Sequence, residues 1–161
     1  MREKHGGCAR LSWAVEDMRC LSSSLADASF DVVLDKAAMD ALLAVEGDRW
    51  DPPMASREVA DQVCKSVSRV LRVGGVFLQV SFSQPHFRRP FLNAAGHGLE
   101  RYGWEVTTRS LDLGLGYFLY IMRKTQDPTP GVAAAPLSAI LPSPSDSGSK
   151  SSSSESSDSD E

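Results

Sequence analysis

The sequence predicts an α/β fold in which a strand, an amphipathic helix and a second strand form a parallel unit, and three observations carry that prediction. Phe30-Asp31-Val32-Val33-Leu34 is a short apolar run that ends at Asp35-Lys36. Val76 to Phe82 is a second run, nearly continuous in apolar residues. Between them Val59, Val63, Val67, Val70 and Leu71 recur at three- and four-residue steps, the stripe by which a helix buries one face. Parallel strands need such a crossover, and ligands on sheets of this kind bind beyond the carboxyl ends of the strands. Asp35 and Lys36 stand at one such end.

The remaining elements follow in chain order. Leu11-Ser12-Trp13-Ala14-Val15 alternates apolar with small or polar residues before Glu16-Asp17, the pattern of a strand with carboxylates at its end. Ala37 to Val45 is apolar and helix-permissive, and Asp51-Pro52-Pro53 ends whatever precedes it. Ser56 suits the N-cap of the amphipathic helix, and Gly74-Gly75 suits its left-handed stop. The apolar continuity of Val76 to Phe82 predicts helices on both faces of the sheet. Gln84 to Tyr102, with its prolines and its His86-Phe87-Arg88-Arg89 cluster, reads as irregular. Trp104 to Leu111 and Gly116 to Arg123 read as an antiparallel hairpin across the link Asp112 to Leu115. Gly114-Leu115-Gly116 falls between strands and opens no helix, so it is a turn and not a phosphate loop.

Composition narrows the class. Residues 1–124 are enough for one domain with one core, and 125–161 form a Pro-, Ser- and acid-rich tail. Ser143 to Glu161 buries too little apolar surface to offset its ordering entropy and is expected to be disordered. Ser143, Ser152 and Ser157 each precede an acidic residue by three positions, a weak sign of acid-directed phosphorylation beside the plainer role of a solubilising appendage. The chain carries −4 overall, but from Gln126 onward six acidic residues and Lys150 give −5, which leaves about +1 for the rest. A near-neutral globular part has no electrostatic footprint for nucleic acid. No apolar run approaches the ~20 residues of a membrane span, and the start of the chain does not read as a secretion signal. The cysteines Cys8, Cys20 and Cys64 are odd in number and lack metal-ligand spacing, and His5, His86 and His97 are scattered. A reduced, cytoplasmic compartment is expected, with no metal and no disulfide framework.

Five phrases carry a family resemblance: Val15-Glu16-Asp17-Met18-Arg19, Ser29-Phe30-Asp31-Val32-Val33-Leu34-Asp35-Lys36, Met39-Asp40-Ala41-Leu42-Leu43-Ala44, Pro85-His86-Phe87-Arg88 and Tyr102-Gly103-Trp104. Together with Gly74-Gly75 and the closing hairpin, they resemble the later part of class I S-adenosylmethionine-dependent methyltransferases. Within that class they look like the methyltransferases that modify lysines of translation elongation factor 1-alpha. The resemblance covers roughly Met1 to Lys124 and about half of that family's domain. It implies a partial Rossmann-like sheet, strands 3 to 7 of the family order 3-2-1-4-5-7-6. It also implies S-adenosylmethionine as cofactor and an elongation factor 1-alpha-like protein as substrate.

Site residues follow from the same resemblance. Asp17 would accept a hydrogen bond from the adenine amino group, with Met18 beside the ring. Asp35 and Lys36 would stand at the methionine end, near the transferred methyl. The plainer readings are a solvated or capping carboxylate for Asp17 and a surface ion pair for Asp35 and Lys36; Asp40 suits either a cap or the cleft. Methyl transfer to an amine is an in-line displacement, so orientation in a water-poor cleft is its main demand, worth up to about 7–11 kcal/mol. The target lysine must also lose its proton, and Asp35 is the candidate acceptor. Trp50, Phe82, Phe87, Tyr102, Trp104 and Tyr117 are candidates for aligning the lysine stem, with core packing as the commoner role of such side chains.

Two departures from the family pattern stand out. The glycine-rich loop and the ribose-binding acidic strand that family members carry upstream are not among these residues, and Val73 stands where the family often has proline. The expectation is a truncated methyltransferase in which Leu11–Val15 and Phe30–Leu34 lack a shared neighbour or pair directly. The second reading is a non-catalytic interaction module derived from such an enzyme. A dinucleotide-dependent oxidoreductase also uses strand–helix–strand units, but it needs the glycine loop and leaves the five phrases unexplained.

Overall fold

The computed structural model describes residues 10–44, 51–111 and 116–131. Strand β1 (Phe30–Lys36) is followed by the short helix α1 (Ala38–Leu42), the long helix α2 (Met54–Val70) and strand β2 (Leu71–Ser81). Helix α3 (Pro85–Leu92), a 3₁₀ turn (Ala94–Gly96) and helix α4 (Gly98–Tyr102) lead into the hairpin β3 (Trp104–Leu111) and β4 (Tyr117–Lys124). The strands form one four-stranded sheet in the order β1-β2-β4-β3. β1 and β2 are parallel, and both pairs involving β4 are antiparallel. This is the order that the methyltransferase resemblance implies for family strands 4, 5, 7 and 6.

Of the predicted stripe, Val63, Val67, Val70 and Leu71 are buried and Val59 is half-buried. Ala60, Val63, Cys64 and Val67 of α2 join Met39 of α1, Leu92 of α3 and Tyr102 of α4 in one core. From the sheet this core takes Leu71, Phe77, Trp104, Tyr120 and Met122. Each fully buried side chain of this size contributes about 1.5–3 kcal/mol. Phe77 and Tyr102 flank Trp104 at centroid distances of 5.9 and 5.1 Å, and the Trp104 indole N–H donates to the Leu92 carbonyl.

Several expectations are corrected. Residues 11–17 are not a strand; the segment is exposed and without regular structure, and the chain that follows it is pinned to α2 by side chains. The Arg69 guanidinium donates to the carbonyls of Leu21, Ser22 and Leu25, and Ser66 Oγ accepts from the Leu21 amide. A strand is stable only with a partner for its backbone groups, and none lies beside this one among the described residues. Among the described residues, helices lie on one face of the sheet only. On β1 alternate residues point away from the core, leaving Phe30, Val32 and Leu34 exposed at 37%, 53% and 67%. Val76, Leu78 and Val80 on β2 and Leu119 and Ile121 on β4 share that outer face and are half-buried.

Helix boundaries also move. α2 begins at Met54 behind Pro53, so Ser56 is a buried residue of its first turn and not its cap. The helix passes straight into extended backbone at Leu71, which makes Gly74-Gly75 part of β2. Between Phe30↔Leu71 and Val32↔Val76 the register shifts, and Gly74 supplies the positive φ (87°) of this bulge. Gly75 has no room for a Cβ, which would lie 2.9 Å from the Arg72 carbonyl oxygen. The stretch 84–102 is helical in two places, because Pro85 suits a first helical turn and because Arg88, Leu92 and Tyr102 are buried by the sheet. The tail 132–161, Cys8, Trp50 and the link 112–115 lie outside the described residues.

A half-buried polar knot ties α4 to α2. Asp61 accepts from Arg101 Nε, from Tyr102 Oη at 2.8 Å and from Lys65 Nζ at 2.9 Å. Burial raises the Asp61 pKa, but these donors outweigh it and hold the carboxyl below the usual range. A depressed folded pKa gives stability that is present above the unfolded value, near ~3.9, and lost as pH falls through the folded one. Asp61→Asn is therefore expected to lower stability at pH 7 by about 1–3 kcal/mol. Urea melts across pH 2 to 7 check this, and the variant should lose less stability than the native chain on acidification.

Candidate functional site

The carboxyl ends of β1 and β2 lie side by side, with Asp35 opposite Gln79 and Lys36 opposite Val80. Because side chains alternate along a strand, these neighbours point to opposite faces. Asp35 is buried toward the helices, and Lys36 is exposed. The Asp35 carboxylate accepts from the backbone amides of Ala38 (2.7 Å) and Met39 (3.3 Å) and from Gln79 Nε2 (2.8 Å). It thus caps α1 from outside the helix, since Ala37, at the N-cap, has no side-chain acceptor. Ala37 itself sits at φ 60°, in the left-handed region that costs an L-residue about 1–2 kcal/mol. The Ala37 amide donates to the Val80 carbonyl, so the turn carrying Lys36 is stitched to β2.

Asp40 makes a second stitch. Its carboxylate accepts from Ser81 Oγ (2.7 Å), from the Phe82 amide (3.2 Å) and from Arg88. It is half-buried and bridges α1, the end of β2 and α3. Arg88, Gln79 and Ser81 are the residues here that sequence reasoning did not assign. Their signal was polar character inside otherwise apolar runs, which becomes informative only once burial is known. Beside them Phe82, 54% exposed, stacks on Tyr117 at a centroid distance of 4.0 Å. Of the other aromatic candidates, Tyr102 and Trp104 are core residues, and Phe87 packs on His86 at 3.9 Å.

Asp17 and Met18 lie apart from this rim in their contacts. Asp17 is held by Arg19, whose Nε and Nη2 donate to its two carboxylate oxygens at 2.6–3.1 Å. That side-chain pairing and the Arg19 backbone amide bring its pKa down to about 2. Met18 packs against the core. Among the described residues no hydrogen bond or ion pair joins Asp17 to Asp35 or Lys36. Among them, too, no three His, Cys, Asp or Glu side chains converge as a metal set, and no helix is long and apolar enough to cross a membrane.

Two outcomes are expected from this geometry. Ala37→Gly removes the left-handed strain and should raise stability by about 1 kcal/mol in a urea melt. Arg19→Ala should return the Asp17 titration, followed by carboxyl NMR, to the ordinary range near ~3.9.

Comparison with known proteins places this rim in context. No protein-family model matches the chain. It is 34% identical over 124 residues to EEF1A lysine methyltransferase 4 of Mus musculus, a match covering 77% of this chain and 46% of that protein. The eEF1A lysine and N-terminal methyltransferase of Homo sapiens is 34% identical over 119 residues, covering 66% of this chain and 16% of that one. Among solved structures, the cyclase SpnF superposes with a TM-score of 0.50 at 13% identity, over 80% of this chain and 60% of that chain, a likeness of fold alone. The chain is similar to the EEF1A lysine methyltransferases and spans about half the length of EEF1A lysine methyltransferase 4.

Proposed function

We propose that this chain is part of an S-adenosylmethionine-dependent protein-lysine N-methyltransferase whose substrate is an elongation factor 1-alpha-like protein, with residues 1–124 as its methyltransferase portion. The observation that carries the proposal is the 34% identity over 124 residues to EEF1A lysine methyltransferase 4. The position of Lys36 at the carboxyl end of a parallel strand pair supports it, since ligands bind such sheets there. The free thiols of Cys20 and Cys64 suit a cytoplasmic, reducing compartment.

The described residues fit one end of the cofactor. Exposed Lys36 suits its methionine end, and the pair of exposed Phe82 and half-buried Tyr117 at the end of β2 suits the stem of a lysine substrate. The adenine end falls to Asp17 and Met18, and the Asp17 carboxylate would have to share its oxygens with Arg19. When bound, S-adenosylmethionine supplies the electrophilic methyl group. The chain's own contribution is orientation. Asp35, with its three donors, holds the turn that aims Lys36 and is screened from solvent, so proton acceptance by it would run through a rearranged turn.

A second reading, a non-catalytic interaction module, is favoured by one observation: the exposed apolar residues Phe30, Val32 and Leu34 on β1, which a partner would cover. A thermal melt of the 161-residue chain with and without S-adenosylmethionine separates the two. Binding to the folded state is expected to add about 2.7 kcal/mol at a hundredfold excess over the dissociation constant. Lys36→Met should remove about 1.5 kcal/mol or more of that gain. A cooperative melt with no shift would leave the module reading standing.

A further inference from the structure

We propose that Ser81 and Tyr120 are positioning residues of the strand-end site, which together with Asp40 clamp the turn 82–84 and so fix the aim of Phe82. The proposal rests on the methyltransferase reading only for its catalytic consequence, the alignment of a lysine stem on the Phe82–Tyr117 pair. The β2–β4 ladder ends at Ser81↔Phe118 and α3 starts at Pro85, so the backbone between them belongs to neither element. Phe82 is exposed, and packing alone does little to hold its ring. Its aim is set by the backbone that carries it.

Side chains from three strands and helices hold that backbone. Asp40 of α1 accepts from the Phe82 amide and from the Ser81 hydroxyl. Ser81 Oγ in turn accepts from the Ser83 amide at 2.9 Å. Tyr120 of β4 donates its hydroxyl to the Ser83 carbonyl at 2.5 Å. The Gln84 carbonyl accepts from the amides of Phe87 and Arg88, which joins the turn to the start of α3. Arg88 pairs with Asp40 and closes the circuit. Ser81 and Tyr120 are both fully buried, where a hydroxyl needs a partner. Alanine and phenylalanine would fill the same space without that need. Both hydroxyls are directed instead at the one turn that carries Phe82. Ser81 is the link, since one hydroxyl serves as donor to Asp40 and acceptor from Ser83.

Two variants of the full chain test this, Ser81→Ala and Tyr120→Phe, each of which removes one hydroxyl and leaves the packing carbon or ring in place. The readouts are amide hydrogen exchange and the NMR shifts of the Phe82 ring, which the ring current of Tyr117 displaces at 4.0 Å. Exchange about tenfold or more faster is expected at Phe82 and Ser83 in both variants, with Phe77 in the core unchanged. The Phe82 ring resonances should move toward those of a free phenylalanine. Tyr120 bonds neither amide, so acceleration in Tyr120→Phe reports the turn as a unit and not the loss of one bond. Unchanged ring shifts in either variant, continued protection of both amides in Tyr120→Phe, or equal acceleration at Phe77 would overturn the proposal. Should one variant fail to fold, the other carries the same comparison. Failure of both would overturn it too, because the hydroxyls would then hold the core and not the turn. Where the native chain methylates its substrate, Ser81→Ala is expected to lower kcat about tenfold while the dissociation constant of S-adenosylmethionine stays the same. An unchanged kcat there would remove the positioning role. An inactive native chain counts against the methyltransferase reading alone, and exchange and ring shifts still decide the clamp.

Discussion

The packing of α2 across the inner face of the sheet is the constraint on which the rest of the described structure depends. Its valines and Ala60 meet Phe77, Trp104 and Met122, and every other helix contributes to that same core. The C-terminus of α2 is bonded at its last carbonyls. Lys124 Nζ donates to Ser68 and Leu71, and the amides of Ala28 and Ser29 donate to Arg69 and Val70. A cation at a helix C-terminus both satisfies those carbonyls and complements the helix dipole. The start of β1 and the end of β4 are therefore set by the same helix end, which brings the opposite ends of β1 and β2 into register.

That register creates the site. Once Asp35 lies beside Gln79, the cap of α1, the turn at Ala37 and the outward aim of Lys36 follow from strand alternation and a handful of hydrogen bonds. Ala37 sits in the left-handed region because the Asp35 carboxylate and the Val80 carbonyl together fix the amides on either side of it. Local strain held by surrounding bonds is a common property of functional turns. Asp40 and Arg88 extend the arrangement to α3, so three elements converge on a region only a few residues wide.

The outer face presents the opposite situation. Phe30, Val32 and Leu34 are apolar in a sequence pattern suited to a two-sided sheet, yet the described helices cover one side. The chain spans about half of EEF1A lysine methyltransferase 4, and this bare face together with the outer edge of β1 is where the described structure is least complete as a folded unit.

Periodicity made the main architecture legible. The valine stripe of α2, the apolar runs of β1 and β2 and the Trp104–Lys124 hairpin were all readable, because each is a local pattern whose period matches its element. So were the positions of Asp35 and Lys36 at a strand end. The fate of Leu11–Val15 was not legible, since an alternating segment becomes a strand only when a neighbour supplies backbone partners. Nor was the bulge at Gly74-Gly75, a demand of the β1–β2 register, or the two helical stretches of 84–102, which owe their shape to burial against the sheet. What the sequence by itself determined was the element types and the strand-end carboxylate. Only the tertiary structure decided that this carboxylate faces inward to Gln79 and that Arg88 pairs with Asp40, because burial and charge pairing are properties of residues distant in the chain.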